Sequence, residues 1–159
     1  MTTVPDGGGT FEPATGDGPL TPPGSAGRRA ADVRVAAEGL IQIRRLTRTS
    51  GGDPRTAPAA WELARPVRAV ALALEAAGIS PSAVDTDGRR VATGYKVRAG
   101  DRPGTAVVEW LGPPGSGAQG AEERELTGCA RALAELGWEA LLYRGPRGRR
   151  FLEVEPAGP

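Results

Sequence analysis

The chain has 159 residues, with 20 basic against 19 acidic side chains, no histidine and one cysteine. That length accommodates one domain, or one domain with tails, and the balanced charge excludes a general electrostatic footprint for nucleic acid, so any basic patch must be local. The absence of histidine removes the usual general base, the Ser–His and Cys–His nucleophile pairings and most transition-metal sites.

Glycine (24) and proline (15) together make about a quarter of the chain, at the edge of the range where disorder is suspected. They concentrate in residues 1–27, 51–58, 112–120 and 156–159. Lys96 is the one lysine. An excess of Arg, Ala, Gly and Pro reflects G/C-rich codons and points to a high-GC bacterial genome. The first residues carry neither a basic nor an apolar leader segment, and the longest strongly apolar run, Ala69 to Leu74, is far short of a membrane span. A soluble, cytoplasmic protein is expected.

Residues 1–27 hold only Val4, Phe11 and Leu20 as large apolar side chains. Such a segment buries too little surface to offset its ordering entropy, so it reads as a disordered N-terminal arm. Residues 28–57 read as a weakly structured segment and linker. Within it Val33, Ala37, Leu40 and Arg44 follow a helical period while Ile41, Ile43 and Arg45 alternate, and the pattern favours a short helix over 30–38 and a strand over 40–47. Gly39 interrupts a continuous helix at a cost of about 1 kcal/mol relative to Ala.

A compact domain is expected over 58–156, with 157–159 disordered. Leu63, Val67, Val70, Leu74 and Ala77 mark the buried stripe of a first helix, with Pro66 inside it and Gly78 as its cap. Pro66 either begins that helix or follows a preceding turn. A short strand near 83–85, the turn Asp85-Thr-Asp-Gly88 and a strand from Val91 to Val97 follow, then a strand over Ala106–Leu111. The best-marked element is a helix over 121–136. Glu122, Glu123 and Glu125 suit its positive end, and Leu126, Cys129, Leu133 and Leu136 form its apolar face. Trp138–Arg144 and Arg149–Glu155 should form a hairpin across Gly145-Pro-Arg-Gly148. A four-residue loop would set Leu141 opposite Leu152 and Leu142 opposite Phe151.

The order α-β-β-β-α-β-β describes a small α+β fold, a mostly antiparallel sheet with two main helices on one face. Ala71–Ile79 and Ala130–Trp138 are both Gly-closed helix ends, each followed by a hairpin whose turn ends in Gly-Arg-Arg (88–90, 148–150). Such αββ units recur by packing convenience as well as by duplication.

Three sequence features bear on function. Gly115-Ser-Gly-Ala-Gln-Gly120 matches a dinucleotide fingerprint between a strand and a helix. Against it stand Gly112-Pro-Pro before the motif, three glutamates at the end that would hold phosphate, and the lack of further parallel strand–helix units. Cys129 falls on the apolar stripe as a structural thiol. Asp85-Thr-Asp-Gly88 opens like a calcium loop, but position 94, where a liganding Glu belongs, is Gly. No cofactor and no metal are expected. Arg144, Arg147, Arg149 and Arg150 cluster at the last hairpin tip beside Tyr143 and Phe151, with Arg89 and Arg90 at the matching place in the first. Arginines on a turn grip phosphates and the aromatics stack on bases, while the plainer reading is a solvated turn.

The leading expectation is therefore a non-enzymatic binding or adaptor protein. The alternative is a nucleic-acid-binding accessory protein using the arginine tip. A third is a nucleotide-binding enzyme using the 115–120 loop.

Overall fold

The computed structural model describes residues 11–48 and 52–158. The disorder expected for residues 1–10 and for Pro159 lies outside them.

The segment expected to split into helix and strand is one helix, α1, Ala26–Thr47, entered through a 3₁₀ turn at Pro23–Ser25. Its buried residues are Val33, Leu40 and Arg44, spaced at i, i+7 and i+11, so the helical period prevails over the alternation at 41–45. Gly39 lies inside the helix on an open side; apart from its chain neighbours and the helix's own backbone, no atom lies within 4 Å of where its Cβ would be.

Next come α2, Ala60–Ala64, and α3, Pro66–Ala76. Arg65, at φ −133° and ψ 64°, breaks the helical path, and Pro66 restarts it at the first position, where a missing N–H costs nothing. The expected stripe is corrected at both ends: Leu63 is 38% exposed on α2 and Ala77 is exposed. Every residue from Ala69 to Leu74 is buried, because the helix is covered on two sides. Val70 and Leu74 join the main core, and Leu72 joins a second cluster with Val33 and Leu40. Gly78, at φ 81°, closes α3 with Gly78 N–H donating to Glu75 O and Ile79 N–H to Leu74 O, the paired bonds of a Schellman end.

The strand expected from Val91 to Val97 is divided. β1 (Ala83–Val84) and β2 (Arg90–Ala92) form a small ladder of their own, while β3 (Gly94–Ala99) joins β4 (Ala106–Leu111), β5 (Trp138–Arg144) and β6 (Arg150–Pro156) in an antiparallel sheet of order β3-β4-β6-β5. Asp85 accepts hydrogen bonds from the Asp87 and Arg89 amides (2.9 Å each), an Asx turn rather than a cation loop. Helix α4 is Ala118–Ala134, beginning three residues earlier than expected from Gly117 at φ 79°. It buries Leu126, Cys129 and Leu133 against the sheet, with Trp138, Leu152 and Val154 in the same core. The outer sheet face carries Lys96, Arg98, Glu109, Glu139 and Glu153.

The last hairpin slips one residue from the expected register. Arg144 pairs with Arg150, which makes the loop five residues, and Leu142 stands opposite Leu152, with Tyr143 opposite Phe151. Arg147 (φ 63°) and Gly148 (φ 74°) turn the chain, and Gly145 N–H reaches Arg149 O at 2.6 Å. A single-residue slip exchanges the two faces of a strand. Here it puts Leu152 inward, and Tyr143 and Phe151 stack outside, their rings 5.9 Å apart.

Residues 11–18, expected as part of a free arm, run as a strap along the edge of β3. The Val97 amide donates to Thr15 O (2.7 Å), the Val84 amide to Gly18 O (2.9 Å), and the Tyr95 hydroxyl to Ala14 O (2.8 Å). Arg90 binds Gly16 O and Asp17, and Arg68 binds Glu12. Gly16 adopts φ 104° and lies so close that a Cβ would collide with the Tyr95 carbonyl and meet Lys96 Cα at 2.6 Å. Burial beneath the strap pushes the Tyr95 hydroxyl far above its ordinary pKa. Burial also raises Asp17, but the hydrogen bond from Arg90 and the charge of Lys96 outweigh it and hold the carboxyl low.

Candidate binding groove

The arginines singled out in the sequence separate into two groups with different surroundings. Arg149 directs Nε to Glu122 Oε2 at 2.5 Å, and the Arg150 amide donates to Glu122 Oε1 at 2.9 Å. Glu122 is fully buried, so the N-terminal turn of α4 is tied to the hairpin tip through its carboxylate. Arg150 also approaches Glu123 at 3.8 Å. Arg90 is committed to Asp17 and the strap. Arg89, Arg144 and Arg147 are exposed and make no ion pair among the described residues. Of the six arginines singled out in the sequence, three are thus exposed and without an ion pair among the described residues.

Arg149 also behaves differently from an exposed turn charge. Replacing it strands a buried carboxylate with only one remaining donor. Arg149→Gln is therefore expected to cost about 1–3 kcal/mol, whereas Arg147→Gln should stay within about 0.5 kcal/mol of wild type. Urea melts of the two variants check this. Equal stabilities would show that Glu122 needs no partner.

The Gly-rich loop serves as a helix entry. Gly117 is the left-handed residue before α4, Ser116 Oγ accepts from the Ala118 amide (3.3 Å), and Gly120 is already helical. The strands on either side of α4, β4 and β5, are not neighbours; β6 lies between them and runs antiparallel to both. No doubly wound parallel sheet surrounds the motif.

Cys129 is fully buried, and burial pushes its thiol up from 9.0 to about 12. A group that holds its proton more tightly when folded favours the folded state below its unfolded pKa. That contribution is lost as pH rises from about 9 towards 12. Native protein at pH 8 should react with a thiol reagent only at the rate of unfolding. Immediate stoichiometric labelling would contradict the burial.

A large concave surface lies where the sequence offered no motif, beneath α1. That helix meets the body along a narrow seam. Arg44 is its deepest anchor: Nε and Nη2 bind Glu62 Oε2 and Oε1 at 2.8 and 2.7 Å, Nη1 donates to Pro54 O at 3.0 Å, and both side chains are essentially inaccessible. Glu62 Oε2 also accepts the Ala59 amide at 2.7 Å, capping α2. At the other end Arg29 forks onto Glu75 (2.7 and 2.8 Å) and lies 4.7 Å over the Phe11 ring. The hydrogen bond to Glu75 raises the Arg29 pKa despite its partial burial.

Either side of this seam is open. One flank forms a groove of about 930 Å³ between α1 and the end of α3, floored by Val33, Ala37, Ile41 and Ile79. It continues past Arg55 into a second hollow of about 800 Å³ bounded by the C-terminal end of α4. The opposite flank holds a cleft of about 530 Å³ with Phe11, Trp61 and Leu72. Beside that cleft α1 exposes Val35 (66%), Ile43 (42%) and Leu46 (77%). The Trp61 indole N–H is buried without a hydrogen-bond partner in the structure.

The sequence carried one signal for this surface, the helical spacing of Val33, Leu40 and Arg44. It was masked by Gly39 and by a charged residue in a buried position.

Among the described residues no helix is long and apolar enough to cross a membrane, and no group of three or more His, Cys, Asp or Glu side chains is placed to hold a metal ion. No protein-family model matches the sequence, and no curated protein and no solved structure is significantly similar to it.

Proposed function

We propose that this chain is a non-enzymatic cytoplasmic binding or adaptor protein that engages a protein partner through α1 and the groove beside it. One observation carries the reading. A 22-residue helix, fixed to the body by a buried ion pair, borders an open groove of about 930 Å³ on one flank and leaves Val35, Ile43 and Leu46 in solvent on the other. A helix needs burial of one stripe only; large apolar side chains bared on a second stripe mark contact with something else. The lack of histidine and the buried, protonated Cys129 support a role without catalysis.

A second reading, nucleic-acid binding, is favoured by the stacked Tyr143–Phe151 pair beside the exposed Arg144 and Arg147. Titration with single- and double-stranded DNA and RNA at low salt separates the two. The adaptor reading expects no saturable binding, and no thermal shift with NADH or ATP. Saturable binding that loses up to about 2 units of salt slope in an Arg144→Gln, Arg147→Gln variant would replace it with the second reading.

A further inference from the structure

The groove between α1 and the end of α3 has short side chains on both walls, Ala30 and Ala37 on one side and Ala76 on the other. They leave room for longer apolar side chains from outside. Its rim on α1 is a single stripe, Arg34, Glu38, Gln42 and Arg45, at i, i+4, i+8 and i+11. Arg55 stands at the far end.

Charge around this groove is one-sided. Four arginines line it against two glutamates; Arg29 and Glu75 neutralise each other, which leaves Arg34, Arg45 and Arg55 against Glu38. Arg34, Arg45 and Arg55 make no ion pair among the described residues. Asp53 and Glu135 lie further on, in the second hollow.

Resting on the adaptor reading, we propose that this groove receives an acidic amphipathic helix of a partner protein. Its apolar face lies on the floor of Val33, Ala37, Ile41 and Ile79, and its carboxylates point to Arg34 and Arg45. These arginines are eleven residues apart on α1, or about 16 Å, so the partner presents carboxylates about three turns apart. A second copy of this chain is a poor occupant, because the α1 it would insert is itself arginine-rich and would set like charges against the rim. A polyanion without an apolar face leaves the apolar floor unused.

The full chain is titrated by fluorescence anisotropy with a synthetic Leu/Glu amphipathic peptide of about 18 residues and with its Leu/Lys twin. The acidic peptide should bind saturably, at least about tenfold tighter than the basic one. Ala76→Trp, at an exposed position on the α3 wall that would fill the groove, should abolish binding while leaving the far-UV spectrum and melting point in place. Arg34→Glu with Arg45→Glu, both exposed on α1, should weaken the acidic peptide about tenfold or more and favour its twin. Equal affinity for the two peptides, binding indifferent to both variants, or displacement by heparin as effective as by unlabelled peptide would overturn the proposal. Should Ala76→Trp destabilise the fold, the rim reversal decides alone. If the acidic peptide fails while cross-links from position 76 still capture a protein partner, the adaptor reading stands with a different partner chemistry. If both fail, both fall.

Discussion

Arg44→Ala is expected to destabilise the protein by about 3–5 kcal/mol. The reason is asymmetry. In the native state the Arg44 guanidinium and Glu62 carboxylate are 1% and 0% exposed and bound at two points. Removing the arginine leaves a carboxylate sealed away from water, with only the Ala59 amide to stabilise it. It also frees Pro54 O, which loses its donor. The pair is not itself a large net source of stability, because desolvating two ions offsets most of their attraction. A double variant, Arg44→Met with Glu62→Leu, should therefore recover a substantial part of what Arg44→Ala loses. Denaturant melts of the three proteins measure this directly. Additive losses in the double variant would show that the two charges are not coupled. Loss of Arg44 also unpins α1 from α2, so groove binding should fail in Arg44→Ala even where the rest of the domain stays folded.

The second large effect is in the sheet core. Leu133→Ala is expected to cost about 2–5 kcal/mol, since the residue is fully inaccessible and its cluster includes Leu126, Leu152 and Trp138. The value within that range depends on how far α4 can relax towards the sheet. With Trp138 and Leu152 both held in paired strands, little collapse is available, which favours the upper half. A fall in melting temperature of about 4 °C for each kcal/mol should follow. A loss below about 0.5 kcal/mol would mean that the stripe of α4 faces solvent.

Much of the sheet half of the molecule was legible because its signals are local. Gly78 and Gly137 end helices through positive φ, the Asx turn needs only Asp85, and Leu126, Cys129 and Leu133 repeat at helical spacing. The hairpin register was not legible. It depends on Arg147 entering the left-handed region and on Arg149 leaving the ladder to reach Glu122, 27 residues away. The α1 half was misread for the same physical reason. Its order comes from long-range polar contacts, Arg44 with Glu62 and Arg29 with Glu75, and not from a dense apolar pattern. Composition likewise argued for a free arm over 1–27. Residues 11–18 find their partners in backbone and charged groups of β3, α1 and α3, which hydropathy does not register. A truncation starting near Ala57, which composition alone would permit, removes Arg44 and uncovers Leu72. It should lower the melting temperature strongly.

The candidate site divides the same way. Arginine density marked the hairpin tip, yet two of its four arginines are engaged by glutamates of α4. The groove has no motif because it is made by helices from distant parts of the chain, with alanine on its walls.

Site-specific photo-cross-linking in the native host tests the central claim most directly. A benzophenone amino acid is placed at Ala76 in the groove and, separately, at Arg147 on the hairpin tip. Protein binding through α1 predicts discrete light-dependent protein adducts from position 76 and none from position 147. Nucleic-acid adducts from position 147, with none of any kind from position 76, would contradict it.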